Sequence, residues 1–166
     1  ASFLMKHLLS IILFLSGFHF ASADLLTDIT DGKYRAKTVS GIKSMNDGEH
    51  YTLLQNNKLI VKYSYKTGQA VDTIFDASTT KLNKIEQIRG YEFSPNEQKI
   101  LVYNEKKFRY RRTFTSEYYV FDVKRNELKP LSGNGPQEVP LFSPDSRYIA
   151  FARENNLFLH KLDFGT

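Results

Sequence analysis

The sequence has 166 residues, a formal net charge of +5, 25% charged and 41% hydrophobic residues, and no cysteine. The fold must therefore rest on packing alone; disulfide scaffolds and cysteine-linked lipid anchors are excluded, and so mild a charge names no partner by itself. Ten tyrosines and thirteen phenylalanines favour β-strands.

Residues 5–23 read as a secretory signal peptide. Met5-Lys6-His7 is a short basic start, Leu8 to Phe20 is mostly apolar, and Ala21-Ser22-Ala23 is a small-residue cleavage pattern. Ala1 to Leu4 precede the expected initiator and read as translated upstream sequence. The apolar run is short for a membrane span, which needs about 20 such residues. The expectation is a leader over 1–23, a mature chain from Asp24, and export to the periplasm or cell envelope rather than membrane anchoring. No Asn-x-Ser/Thr site occurs, which suits a bacterial exported protein better than a eukaryotic ectodomain.

Residues 24–41 form a lead-in segment, with turn and cap residues at Thr27-Asp28-Ile29-Thr30-Asp31-Gly32 and no clear period. From 42 onward strands alternate with turns. The first unit predicts strands at Tyr51–Leu54, Leu59–Tyr65 and Ala70–Phe75, separated by Gln55-Asn56-Asn57-Lys58 and Lys66-Thr67-Gly68-Gln69. Residues 76–89 read as a polar connection. The second unit runs from Tyr91 through Lys99–Tyr103 and Ser116–Val123 to Leu128–Leu131. The third repeats the scheme with Leu141-Phe142, Tyr148–Ala152 and Leu157–Leu162.

Three turn tetrapeptides punctuate these units: Met45-Asn46-Asp47-Gly48, Ser94-Pro95-Asn96-Glu97 and Ser143-Pro144-Asp145-Ser146. From 46 to 95 to 144 is a step of 49 residues, taken twice. Proline presets φ for the second turn position, and Asn or Asp is well suited to the third. A period of this size, with a strand after every turn, is the signature of propeller blades. A generic β-sandwich with coincidental spacing is the competing architecture, and the matching order of strands and turns favours the repeat. The fold class expected is all-β: a partial β-propeller of about two and a half four-stranded blades over 42–166, truncated at its C-terminus and preceded by a signal peptide.

The densest charge is Lys106-Lys107-Phe108-Arg109-Tyr110-Arg111-Arg112, five cations with two aromatics interleaved. It is expected to lengthen the hairpin between strands 99–103 and 116–123. A nucleic-acid surface fits poorly with a secreted chain of low overall charge. Two readings remain: a solvated hairpin edge, or a loop that presents an arginine's forked donors to an acidic or carbonyl group. The histidines at 50 and 160 have no zinc spacing, and no metal or cofactor is expected. Asp163-Phe164-Gly165 lacks every accompanying kinase motif, and there is no Gly-x-Ser-x-Gly elbow or credible Ser-His-Asp set.

Three stretches carry a resemblance: Ser44 to Tyr51; Tyr110-Arg111-Arg112-Thr113-Phe114-Thr115-Ser116-Glu117-Tyr118-Tyr119-Val120-Phe121-Asp122; and Phe142 to Phe151. Together they resemble the N-terminal β-propeller of the dipeptidyl peptidase IV family, serine exopeptidases of the prolyl oligopeptidase clan. The Ser-Pro-Asp motif is common to many propellers, whereas the Tyr-Arg-Arg stretch is more specific. The resemblance implies a parent enzyme releasing Xaa-Pro or Xaa-Ala dipeptides from peptide N-termini. It also implies that an α/β-hydrolase domain of the same parent carries the triad, and that this chain alone is inert. By motif position the resemblance makes Arg111 the substrate-binding arginine, with Arg112 the neighbouring alternative. Glu117 does not correspond to the family's glutamate pair, which lies further along. Homodimers are common in that family, through contacts largely outside this stretch. The alternative is a non-enzymatic periplasmic β-repeat binding module.

Overall fold

A computed structural model describes residues 22–35, 40–108 and 114–162. The chain divides into two units, 1–40 and 41–166. In the first, helix α1 spans Ser22–Thr30, where the sequence shows turn and cap residues but no clear period. Its end explains those cap residues. The Gly32 amide bonds the Ile29 carbonyl at 3.2 Å and the Lys33 amide bonds that of Asp28 at 2.9 Å, with Gly32 at φ 75°. This paired closure is a Schellman cap, and it requires a residue tolerant of left-handed φ. The expected leader lies outside the described residues, apart from Ser22 and Ala23.

The second unit is built from strands. In chain order they are β1 Lys43–Ser44, β2 His50–Gln55, β3 Leu59–Ser64, β4 Ala70–Asp76, β5 Lys81–Leu82, β6 Gly90–Phe93 and β7 Lys99–Tyr103. There follow β8 Lys107–Phe108, β9 Phe114–Ser116, β10 Tyr118–Asp122, β11 Glu127–Pro130, β12 Gln137–Phe142, β13 Tyr148–Arg153 and β14 Asn156–Lys161. They form three sheets, ordered β1-β2-β3-β4, β5-β11-β10-β7-β6 and β14-β13-β12-β9-β8. Each sheet contains an antiparallel meander, and the three make a partial β-propeller with no closed ring. The short β5 alone runs parallel to its partner, laying the connection from the first sheet along the outer strand of the second.

The alternation of β7 locks the sheets together. Ile100 and Val102 enter one apolar cluster with Ile60, Phe75 and Phe121. Leu101, pointing the other way, enters a second cluster with Val120, Ile149 and Phe151. Successive strand side chains face opposite sides, so one strand serves both interfaces. The second sheet is therefore the middle layer, and its strand reads as an unbroken apolar run, as strands covered on both faces do. Phe75 and Phe121 meet edge to face, with ring centroids 4.9 Å apart.

The three turns share one architecture. Residue 4 of each donates its amide to the carbonyl of residue 1: Gly48 to Met45 at 3.2 Å, Glu97 to Ser94 at 2.8 Å and Ser146 to Ser143 at 2.9 Å. Each fourth residue is left-handed, at φ 69°, 57° and 58°. The third residue's side-chain oxygen accepts the amide two places on: Glu49 to Asp47 at 2.9 Å, Gln98 to Asn96 at 3.2 Å and Arg147 to Asp145 at 3.1 Å. The 49-residue step brings these turns together in space. Asn46 donates its amide to Glu97 Oε1 at 2.6 Å and its side chain to the Pro95 carbonyl at 2.7 Å. In turn the Asn96 amide bonds Ser146 Oγ at 3.1 Å.

One expectation is corrected. The predicted strand 116–123 is two strands in two sheets. β9 leaves the second sheet and pairs with β12 of the third, Ser116 opposite Gln137 and Thr115 opposite Glu138. After the exposed Glu117, β10 returns to pair with β7. The hairpin β8–β9 does lie in the connection between the paired strands β7 and β10, as expected, but it joins the third sheet as an added edge. The Gln137 side chain makes the switch feasible. It is buried, and its Oε1 accepts the Tyr118 amide at 3.0 Å while its Nε2 donates to the Gly135 carbonyl. A buried amide left without such a partner would cost about 1–3 kcal/mol.

Candidate functional site

The first strands of the three meanders, β1, β6 and β12, border a common cleft whose lining includes Lys43, Gly90, Glu92, Tyr103, Phe114 and Leu141. Lys43 on β1 is ion-paired with Glu92 on β6 across the first two sheets. The hairpin β8–β9 stands beside this cleft, where the second sheet meets the third.

An aromatic series leads from the interior to the hairpin. Tyr118, buried in the second sheet, lies 5.3 Å from Tyr103 between ring centroids. Tyr103 lies 5.8 Å from Phe114 on β9, and Phe114 lies 6.1 Å from Phe108 on β8, which is 69% exposed. The Lys106 ammonium sits 4.5 Å from the Phe114 ring centroid and 5.3 Å from that of Tyr103. Gly90 is what lets Tyr103 take its position. The two residues are cross-strand partners, and a Cβ on Gly90 would fall 2.3 Å from the tyrosine oxygen. Any side chain at 90 would displace the ring.

Three tyrosines, Tyr91, Tyr118 and Tyr119, are pushed toward their neutral form. Burial, with Tyr103 beside it, pushes the Tyr118 phenol well above its ordinary value. Burial likewise raises Tyr91, outweighing the lowering effect of its hydrogen bond with Thr52, with the Glu92 charge adding to the rise. Tyr119 is raised by burial and by Glu117, to which it donates at 3.3 Å. The site therefore offers neutral hydroxyls, aromatic faces and cations, and it suits binding and orientation.

Arg111 and Arg112, the expected substrate-binding arginine and its neighbour, lie outside the described residues, which resume at Phe114. Glu117 is exposed at the strand switch. The histidines are not brought together. His50 is engaged by Asp47 of its own turn, Nδ1 to Oδ2 at 2.6 Å, whereas His160 is on β14 of the third sheet. Burial would raise the Asp47 carboxyl, but the bonds from His50, the Glu49 and His50 amides and Lys62 hold it far below the usual carboxylate range. Among the described residues no group of three or more His, Cys, Asp or Glu could hold a metal ion. Sequence reasoning missed Gly90, Tyr103 and Gln137. Only Gly90 left a signal, as an isolated glycine at the head of a strand pattern.

Residues 94–166 match the family described as the dipeptidyl peptidase IV (DPP IV) N-terminal region. A probable dipeptidyl-aminopeptidase B of Aspergillus niger is 39% identical over 72 residues, which is 42% of this chain and 8% of that protein. The corresponding probable enzyme of Colletotrichum graminicola is 28% identical over 126 residues, 70% of this chain and 13% of that protein. The crystal structure of Porphyromonas gingivalis dipeptidyl peptidase 4 superposes with a TM-score of 0.70 at 40% identity, covering 81% of this chain and 20% of that one. The chain thus spans only a small part of the proteins it matches.

Proposed function

We propose, on the premise that this chain belongs through residues 94–166 to the N-terminal region of the dipeptidyl peptidase IV family, that it is the opening portion of a secreted serine exopeptidase's β-propeller. The parent enzyme releases Xaa-Pro and Xaa-Ala dipeptides from peptide N-termini. The leader over 5–23 directs export to the periplasm or envelope. The propeller portion controls access and binds the peptide, while an α/β-hydrolase domain of the same parent supplies nucleophile, base and oxyanion donors.

Arg111 is the residue given a direct role. A guanidinium offers paired N–H donors, fitted to a peptide carbonyl or carboxylate and beyond what an ammonium can match. One observation carries this reading. The basic hairpin is held at both of its described ends, by β9 pairing with β12 and by Lys106 against two rings, beside a cleft shared by three sheets. A loop meant only as a solvated edge has no need of such anchorage.

The test is Arg111→Ala in the full-length parent, assayed on an Xaa-Pro chromogenic substrate. Losing a charged hydrogen bond of about 2 kcal/mol lowers kcat/KM by roughly thirtyfold, chiefly through KM. Unchanged KM and kcat would remove Arg111 from the reading. The 166-residue chain alone should show no hydrolysis, and robust turnover by it would overturn the division of labour.

A further inference from the structure

The 49-residue repeat brings equivalent residues of the three sheets to the cleft, and the third set departs from the other two. Positions 41, 90 and 139 all line it, as Gly41, Gly90 and Val139. So do positions 43, 92 and 141, as Lys43, Glu92 and Leu141. The first two sheets thus supply glycines and an ion pair, and the third supplies two aliphatic side chains. Gly41 has φ 77° and Val139 has φ 45°. The left-handed region suits a glycine and strains a β-branched residue, and Pro140 restricts the residue before it further. The pairing is irregular at the same place. From Glu138 to Leu141 β12 takes three steps while β13 takes two, from Ala152 to Ala150, whereas β6 runs against β7 without a shift. This is a bulge, a device that re-aims a side chain. Val139 is 62% exposed and Leu141 65%, and both stand outside the two apolar clusters. No core contact among the described residues therefore offsets the strain at 139.

We infer that Val139 is a specificity-determining residue: with Leu141 it forms an apolar shelf in the cleft that takes the side chain of the peptide residue following the released dipeptide. This rests on the peptidase reading of the parent and is independent of where Arg111 lies. Backbone strain of this kind collects where a fold serves a ligand. The cleft has a volume of 560 Å³, within the range of about 300–1,000 Å³ usual for ligand sites. Its charged lining is cationic on balance, Lys43 and Arg89 against Glu92. A short peptide presents the complementary charge at its carboxylate end, which is the end beyond the dipeptide. An apolar side chain on the shelf and a carboxylate toward the cations are satisfied by one such peptide.

The experiment uses the full-length parent with Val139→Gly, Val139→Thr, Val139→Ile and Leu141→Ser. Each is assayed on the tripeptides Ala-Pro-Leu and Ala-Pro-Ser, and each is unfolded in urea. The parent should favour Ala-Pro-Leu. Val139→Gly and Leu141→Ser should each lower that preference, as a ratio of kcat/KM, by about fivefold. Val139→Thr keeps the branch and the strain but exchanges a methyl for a hydroxyl, and should lower it by about threefold, whereas Val139→Ile should retain it. The unfolding midpoint of Val139→Gly should stand above that of the parent, because glycine relieves the left-handed backbone. If the parent cleaves both peptides without favouring Leu, or keeps its preference in Val139→Gly, the shelf is wrong and the peptidase reading stands. If Val139→Gly lowers the midpoint, the side chain is packed against the parent's own chain, and the inference is overturned. If the parent cleaves neither peptide, the peptidase reading fails and the shelf falls with it.

Discussion

The second and third sheets are built from the same repeat and meet opposite circumstances. In β7 the run Ile100-Leu101-Val102 is buried throughout, between two apolar clusters. In β13, 49 residues on, Ile149 and Phe151 are buried but the intervening Ala150 is only half-buried. Its cross-strand neighbours Leu141 and Leu159 are 65% and 67% exposed, and Leu157 is 80% exposed. Among the described residues, the middle sheet is covered on both faces and the third on one. Position in the stack, rather than local composition, decides what each strand contributes, as expected where repeats bury their faces only against neighbours.

The sharpest way to break that comparison is to remove an apolar side chain from each sheet. Phe121 is 1% exposed and packs edge to face on Phe75. Phe121→Ala should cost about 4 kcal/mol, from lost transfer energy plus the cavity left behind. In the 166-residue chain, Leu157→Ala should fall within about 0.5 kcal/mol of the unsubstituted protein. Urea unfolding midpoints compare the two directly. An equally large loss at Leu157 would mean that the outer face of the third sheet is covered in solution, and that the two sheets do not differ as described.

Charge gives a smaller contrast. Asp122 ends β10 in the middle sheet, where it pairs with the buried Lys99 of β7 and accepts the Arg125 amide at 2.9 Å. Burial would raise its carboxyl, but the Lys99 bond, the Arg125 amide and both cations outweigh that and leave it below its ordinary value. A carboxyl lowered by folding stabilises the protein fully above its unfolded pKa of about 3.9, and loses that contribution as pH falls through the lowered folded value. Asp122→Asn should cost about 2 kcal/mol at pH 7, less than a wholly buried pair because water still reaches the carboxylate. The gap from the parent should close as the pH is taken below 4. Asp145 is also lowered, first by its Ser143 hydrogen bond, but it is exposed on a turn of the third sheet. Asp145→Asn should shift the midpoint less. An equal pH dependence in the two variants would erase the distinction between the sheets.

Much of the fold was legible because it is written locally. Pro95 and Pro144, Asn96 and Asp145, and the strand after each turn are short-range signals, and the 49-residue step followed from them. The crossing of β9 into the third sheet was not legible. Thr115 through Val123 has no proline or glycine to mark a break, and the partner that draws Ser116 away is Gln137, 21 positions later. Its side chain compensates the backbone at Tyr118, a relation that no local pattern carries. The same holds for the candidate site. The cluster of cations announced itself, but the ring that anchors Lys106 depends on an empty space over Gly90 of a neighbouring strand.

A third contrast lies in the turns, where the middle sheet again differs from its neighbour. The turn after β6 is bonded on both sides, to Asn46 and to Ser146, whereas the turn after β12 is bonded through Ser146 to the turn before it. Glu97 and Ser146 are equivalent left-handed residues, and each accepts an amide from the preceding turn. They differ because Pro95 has no N–H to give, so the short side chain of Ser146 meets the next amide, that of Asn96. Ser146→Gly relieves the left-handed backbone but leaves the Asn96 amide without its acceptor, and the two effects oppose each other. The net loss should be about 1 kcal/mol, against about 2 kcal/mol for Ser146→Ala, which keeps the strained conformation and loses the acceptor too. Unfolding midpoints of the two variants separate the contributions. If Ala and Gly prove equal, backbone strain at 146 is negligible; if both match the parent, the bond between turns contributes nothing, and the 49-residue step is a spacing of strands rather than a joining of turns.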